Sequence, residues 1–186
     1  MYRAAGYASQ PRAYADLVLI PELGAGKVTG WSPTAGAQAL ATGDWQPLHV
    51  GVGPSTIAWV GIWGTVDNFN KAQFFSSPLA RTPGEMRIKA GPLLPHKTPF
   101  SGLVAEGDYA AMEFYDSPRS ILVVRISTSE VWQIPRDTET TFSVLGFAAG
   151  ELIIGHSVNA GSAEFDYLRR YDLSRLSEYA TLMPPL

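Results

Sequence analysis

The stretch that decides the fold lies in the second half of the chain. It opens Leu103-Val-Ala-Glu-Gly, Tyr109-Ala-Ala-Met-Glu-Phe-Tyr, Ile121-Leu-Val-Val-Arg-Ile-Ser-Thr and Val131-Trp-Gln-Ile-Pro. It then reads Phe142-Ser-Val-Leu-Gly-Phe, Glu151-Leu-Ile-Ile-Gly-His-Ser, Asp166-Tyr-Leu-Arg-Arg-Tyr-Asp-Leu and Tyr179-Ala-Thr-Leu-Met. Each half of this stretch holds four short apolar runs separated by turn formers. Such runs are the signature of strands covered on both faces. In both halves the third run ends in a polar turn, Ser127-Thr-Ser-Glu in one and Asp172-Leu-Ser-Arg in the other. The sequence therefore predicts a repeated unit of four antiparallel strands.

Working outward, the same template fits residues 47–90. There Leu48-His-Val-Gly-Val, Thr56 to Trp63, Gln73-Phe-Phe-Ser-Ser and Glu85-Met-Arg-Ile-Lys make a further unit. Before it, Tyr2–Ala8, Ala15–Ile20 and Lys27–Trp31 read as the last three strands of a unit that lacks its first. Second strands then centre on Ala5, Trp59, Met112 and Ile153, at spacings of 54, 53 and 41 residues. Helical signals are sparse, the best being Ala35-Gly-Ala-Gln-Ala-Leu-Ala41. The expectation is one all-β domain over residues 1–186, with units at 2–32, 47–90, 101–135 and 141–184.

An apolar strand, a strand running into an Asp or Ser-Thr turn, and a short strand ending in Pro resemble the blades of TolB-like and related β-propellers. The resemblance covers most of the chain. The family's Ser-Pro-Asp-Gly turn is absent, and Gly102, Gly107 and Ala149-Gly150 fall near the corresponding places. It implies a small or partial propeller of about four blades, with about fifteen strands against the sixteen of a closed four-bladed ring. Stacked blades cover one another's apolar faces, so an open arc would leave two faces for a partner. A two-sheet β-sandwich is the alternative architecture from the same strands.

Composition removes several functions. The chain has no cysteine, which excludes disulfides, thiol nucleophiles and cysteine-ligated metals. Residues 1–100 carry eight Lys and Arg against five Asp and Glu, and residues 101–186 carry six against twelve. Neither half has the dense basic stripe that binds a phosphate backbone, so no nucleic-acid partner is expected. No charged residue occurs between Asp44 and Asp67, but Pro47, Pro54 and four glycines interrupt that stretch. It reads as two strands around a Gly-Pro-Ser turn and not as a transmembrane segment. The start, Met-Tyr-Arg-Ala-Ala-Gly-Tyr, lacks the apolar core of a signal peptide, and the compartment stays open.

The chemistry-bearing motifs mostly resolve into turns. Gly24-Ala-Gly-Lys27 lacks the Ser or Thr that a phosphate loop needs after its lysine, and reads as a hairpin turn. Gly53-Pro-Ser55 lacks the closing glycine of a nucleophile elbow. His49, His96 and His156 stand too far apart for a metal pair, so neither a metal nor another cofactor is expected. Asp67-Asn-Phe-Asn70 reads as an Asx-rich turn, because Phe69 interrupts a calcium-loop order.

In the blade register, loops between second and third strands share a rim with loops between units. That rim gathers Asp67, Asn70, His96, Lys97, Asp116, Arg119, Arg136, Asp137 and Asn159 as candidate binding residues. The function expected is a non-enzymatic binding or accessory module within a larger assembly. Its partner would be another protein chain, or a second copy meeting the open edge blades. The enzymatic alternative is a propeller-type glycoside hydrolase or a fragment of one, suggested by Arg136-Asp137. It would need two carboxylates roughly 5–10 Å apart.

Overall fold

In a computed structural model of the chain, residues 7–8, 10–95, 100–114, 119–135, 141–157 and 165–186 are described. They form an all-β protein of four antiparallel sheets, with 66% strand and 6% helix. The first sheet contains β1 (Tyr7–Ala8), β2 (Arg12–Tyr14), β3 (Leu17–Leu23), β4 (Lys27–Ser32) and β5 (Gly36–Thr42). The second contains β6 (Gln46–Val52), β7 (Thr56–Thr65), β8 (Asn68–Pro78) and β9 (Lys89–Leu94). The third contains β10 (Phe100–Glu106), β11 (Tyr109–Phe114), β12 (Ser120–Arg125) and β13 (Glu130–Pro135). The fourth contains β14 (Thr141–Ala148), β15 (Glu151–Ser157) and β16 (Tyr167–Asp172). The last strand, β17 (Thr181–Leu182), leaves the fourth sheet and pairs with β13 of the third.

Three sequence expectations need correction. Residues 35–41 are not helical, because β5 occupies Gly36–Thr42 and pairs along the whole of β4. Alanine's helix propensity is a few tenths of a kcal/mol per residue, roughly, and sheet pairing outweighs it. This strand shifts the first unit by one position. Tyr7–Ala8 and Arg12–Tyr14 both pair with β3, so together they supply the first strand, interrupted before Arg12. The first sheet is therefore complete, and it extends to Thr42 instead of ending at residue 32.

The second correction concerns residues 85–89. Pro83–Glu85 form a 3-10 turn, and the fourth strand of the second sheet is Lys89–Leu94. Pro92 is tolerated there because β9 is an edge strand. The third is at the C-terminus. Asp172 caps a 3-10 segment, Leu173–Glu178, by accepting a hydrogen bond from the Ser174 amide. Leu173 and Leu176 bury beneath that segment, and the chain is carried across to the third sheet, where Met183 N–H donates to Val131 C=O at 2.8 Å. Among the described residues it is thus the last sheet that has three strands, and the first sheet has its full set.

Strand alternation explains how the sheets associate. On β7, Ile57 and Trp59 face the first sheet, while Ala58, Val60 and Ile62 face the third. On β11 and β12, Met112, Leu122 and Val124 meet the second sheet, and Ala111, Ile121 and Val123 meet the fourth. Three apolar layers result, one between each pair of consecutive sheets. At about 25 cal/mol per Å² of apolar surface removed from water, this stacking is the main favourable contribution to the fold. The uncharged stretch 45–66 lies almost wholly in β6 and β7, and no described helix is long and apolar enough to cross a membrane.

The first strands pack in succession, with β10 against β6 on one side and β14 on the other. Just past β6 the approach is closest. A Cβ on Gly53 would stand 2.0 Å from the Ala105 carbonyl oxygen, so only glycine fits. Between the third and fourth sheets, buried Glu113 accepts from the Ser101 hydroxyl at 2.8 Å and the Val144 amide at 3.1 Å. A buried carboxylate of this kind is tolerated because its oxygens are hydrogen-bonded.

The repeat also appears in one recurring hydrogen bond. The residue after each third strand donates its N–H to the last turn residue before the second strand. The pairs are Leu79 to Ser55 at 2.8 Å, Ile126 to Asp108 at 2.8 Å, and Leu173 to Gly150 at 3.2 Å. The corresponding position in the first sheet is Pro33, which has no N–H to give.

Candidate docking surface

The four sheets differ in what covers them. The second and third sheets have apolar layers on both faces. The outer side of the first sheet carries partly buried Val18, Ile20 and Trp31, with Glu22 fully buried beside Thr29 and Lys27. The fourth sheet is the barest.

Its inner face is set by Val144, Leu152 and Ile154, which pack on the third sheet. Pairing register places Ile153 opposite Arg170 and Gly155 opposite Leu168 on the other side. Leu168 is 58% exposed there. Phe165 lies across Gly155, where a Cβ would come within 2.6 Å of its ring, and the ring itself remains 43% exposed. Leu145, at the bulge where β14 slips against β15, is 44% exposed. Three large apolar side chains on one small sheet are more than scattered surface hydrophobes.

The edge of this sheet is equally open. In the order β14-β15-β16 the last strand has no further neighbour among the described residues. Leu168, Arg169 and Arg170 are all exposed along it. Arg170 reaches Glu151 at 3.5 Å, and the Arg169 guanidinium lies 5.6 Å from the Tyr167 ring centre. On the inner side Tyr167 stacks on buried His156, with centroids 5.0 Å apart and planes 6° from parallel. The edge strand is therefore anchored by aromatic contacts on one face, where Arg169 also lies, and presents Leu168 and Arg170 on the other.

Below this surface, between the third and fourth sheets, lies a cleft of about 610 Å³ that includes Glu106, Asp108, Glu151 and Asp172. Two of these carboxylates serve turns. Asp108 accepts from the Ser127 amide at 2.7 Å and hydroxyl at 2.6 Å, with Arg125 Nε at 3.4 Å. Asp172 accepts from the Ser174 hydroxyl and amide, which hold its carboxyl below the usual range. Nearby, burial pushes the Tyr179 hydroxyl up to about 12.

Of the rim residues expected from sequence, Asp67 sits exposed in the β7–β8 turn and Asn70 is exposed on β8. Arg119 is exposed just before β12. His96, Lys97, Asp116, Arg136, Asp137 and Asn159 lie outside the described residues, as does the Arg-Asp pair that suggests a glycosidase. The Gly24–Gly26 turn does close the β3–β4 hairpin, and Ser55 does sit in the β6–β7 turn.

The fourth-sheet surface was not singled out from sequence. Its signal was present in Phe165 and Leu168, two large apolar residues flanking a polar segment. Reading Tyr179–Met183 as a fourth strand of that unit hid it. No known protein-family model matches the chain, and no curated protein is significantly similar to it.

Proposed function

We propose that the chain is a non-enzymatic binding module that docks within a larger assembly, accepting a strand of another protein chain at β16. The observation that carries this reading is the three-stranded fourth sheet, whose edge strand has no further neighbour among the described residues and whose Phe165 and Leu168 are exposed, while the second and third sheets are covered on both faces. Addition of an extended strand to an open sheet edge supplies backbone hydrogen bonds for affinity and side-chain contacts for specificity. Leu168 and Phe165 call for apolar groups on the incoming segment. Proteins blunt open edges with charge to prevent unwanted pairing, as Arg169 and Arg170 do along β16, and the exposed Phe165 and Leu168 beside that charge favour a dedicated partner over promiscuous pairing.

The four sheets are read here as blades of a small propeller-like stack, of the TolB-like kind. Three apolar layers between consecutive sheets support this over a two-sheet sandwich, which has one. The recurring hydrogen bond between turns supports an internal repeat.

The test uses Leu168→Asp, which places a charge on the outer face without touching the core. Light scattering should find the wild-type chain monomeric. A partner captured from the source cell should be lost with Leu168→Asp, and β16 amides should gain exchange protection in the captured complex. A wild-type homodimer converted to monomer by Leu168→Asp would overturn the reading in favour of self-pairing. Undiminished capture by the variant would overturn it outright.

A further inference from the structure

Independent of the docking surface, a pocket of about 490 Å³ opens between the second and third sheets, at the end where the repeated turns meet. One wall is the face of the second sheet that turns toward the third. Ser76 and Lys89 are paired there across β8 and β9, and Thr56 is paired with Pro78 across β7 and β8. The opposite wall is Gly107 and Ile126 of the third sheet.

The polar side chains of this pocket are two cations, Arg87 and Lys89, and the hydroxyls of Ser55, Thr56, Ser76 and Ser77. Lys89 Nζ donates to the Ile126 carbonyl at 2.7 Å and the Ser127 carbonyl at 3.3 Å. Two of its three hydrogens are thereby engaged, which holds the ammonium at the pocket wall with one left over. Arg87 adds a second cation, tethered through one terminal nitrogen to the Gly84 and Met86 carbonyls, both at 2.9 Å. Thr56 is committed to the Gly107 carbonyl at 2.7 Å.

Ser76 is different. Only 3% of it is exposed, and its hydroxyl has no hydrogen-bond partner among the described residues. No carboxylate of the described residues lines the pocket. Of the two carboxylates that flank Gly107, Asp108 is held by Ser127 and Arg125, and Glu106 lines the cleft between the third and fourth sheets. In a chain with net charge −3, two cations and a buried hydroxyl without an acidic counterpart form a local site for an anion. Two cations match a doubly charged oxyanion better than a monocarboxylate. Pro78 and Ile126 beside them form an apolar wall for a group attached to that anion.

We propose that this pocket binds the phosphoryl group of a small organic monophosphate. Lys89 and the Ser76 hydroxyl take the phosphoryl oxygens, Arg87 supplies the second positive charge, and the organic part lies along Pro78 and Ile126. Phenyl phosphate, inorganic phosphate, benzoate and phenol, titrated separately into isotopically labelled protein and followed by amide chemical shifts, provide the test. Phenyl phosphate should shift Ser76, Lys89 and Gly107 saturably, and bind more tightly than inorganic phosphate or benzoate. Lys89→Met should weaken it by about tenfold or more, since a charged hydrogen bond is lost. Ser76→Ala, which removes only the hydroxyl and leaves the strand pairing in place, should weaken it several-fold. Absence of saturable shifts, equal binding of phenol or benzoate, or unchanged affinity in Ser76→Ala would overturn the assignment.

Discussion

The second and fourth sheets are built from the same kind of strands, yet they stand in opposite situations. The second is covered on both faces and centres on Trp59, fully buried between Trp45 and Phe75 with centroids 5.7 and 5.4 Å away. The fourth packs one face on the third sheet, has three strands among the described residues, and leaves Leu168 in water. An interior sheet is specified by its neighbours on either side, and an end sheet only by one. The difference teaches where stability ends and recognition is free to begin.

The largest effects should fall in the second sheet. Trp59→Ala should cost about 3–5 kcal/mol in denaturant unfolding, as large-to-small changes in closed cores do. Leu168→Ala should change stability by less than about 0.5 kcal/mol. Similar costs for the two would break the comparison.

Next comes the approach of β6 to β10. Gly53→Ala should destabilise by about 1–3 kcal/mol, because its Cβ collides with a backbone carbonyl that cannot rotate away. An Ala at Gly84, where nothing stands within 4 Å of the added Cβ, is the matched control and should be near neutral.

Smaller still is the turn that diverts the chain from the fourth sheet. The Asp172 carboxyl is lowered by the Ser174 hydroxyl and amide. A lowered carboxyl contributes stability above its unfolded-state value, and that contribution disappears as pH falls through its folded value. The stability gap between wild type and Asp172→Asn should therefore be present at neutral pH and close in acid. A gap that persists in acid would assign the role of Asp172 to something other than its charge.

The smallest expected stability change is that of Leu168→Asp, within about 0.5 kcal/mol, although it should abolish docking. Thermal unfolding beside the capture experiment separates the two. A variant that both unfolds and loses its partner would remove the distinction between a core sheet and a recognition sheet.

Much of the fold was legible because interior strands are continuous apolar runs. Residues 56–63, 120–126 and 151–154 read directly as strands and fall on β7, β12 and β15, with Ile126 alone beyond the end of its strand. The end strands were harder. Gly36–Thr42 carries three alanines and a glutamine, residues that favour a helix locally, and only pairing with β4 makes it a strand. Thr181–Leu182 has the apolar composition expected of a fourth strand, and nothing in it states that its partner is β13 instead of β16. The docking surface was hidden for the same reason, since strand composition shows that a residue is apolar but not which neighbour covers it. The anion pocket was less legible still. Ser76, Lys89 and Gly107 are separated by tens of residues and meet only through sheet pairing and stacking.

The central claim is that the edge of the fourth sheet is open while the inner sheets are closed. Native-state hydrogen exchange on the purified chain tests it most directly. The amides of β7, β8, β11 and β12 should exchange only through global unfolding. Along Tyr167–Asp172, protection should alternate, with slow amides bonded to β15 and fast ones facing outward. Uniform protection of every amide in that strand, equal to that of β8, would contradict the account.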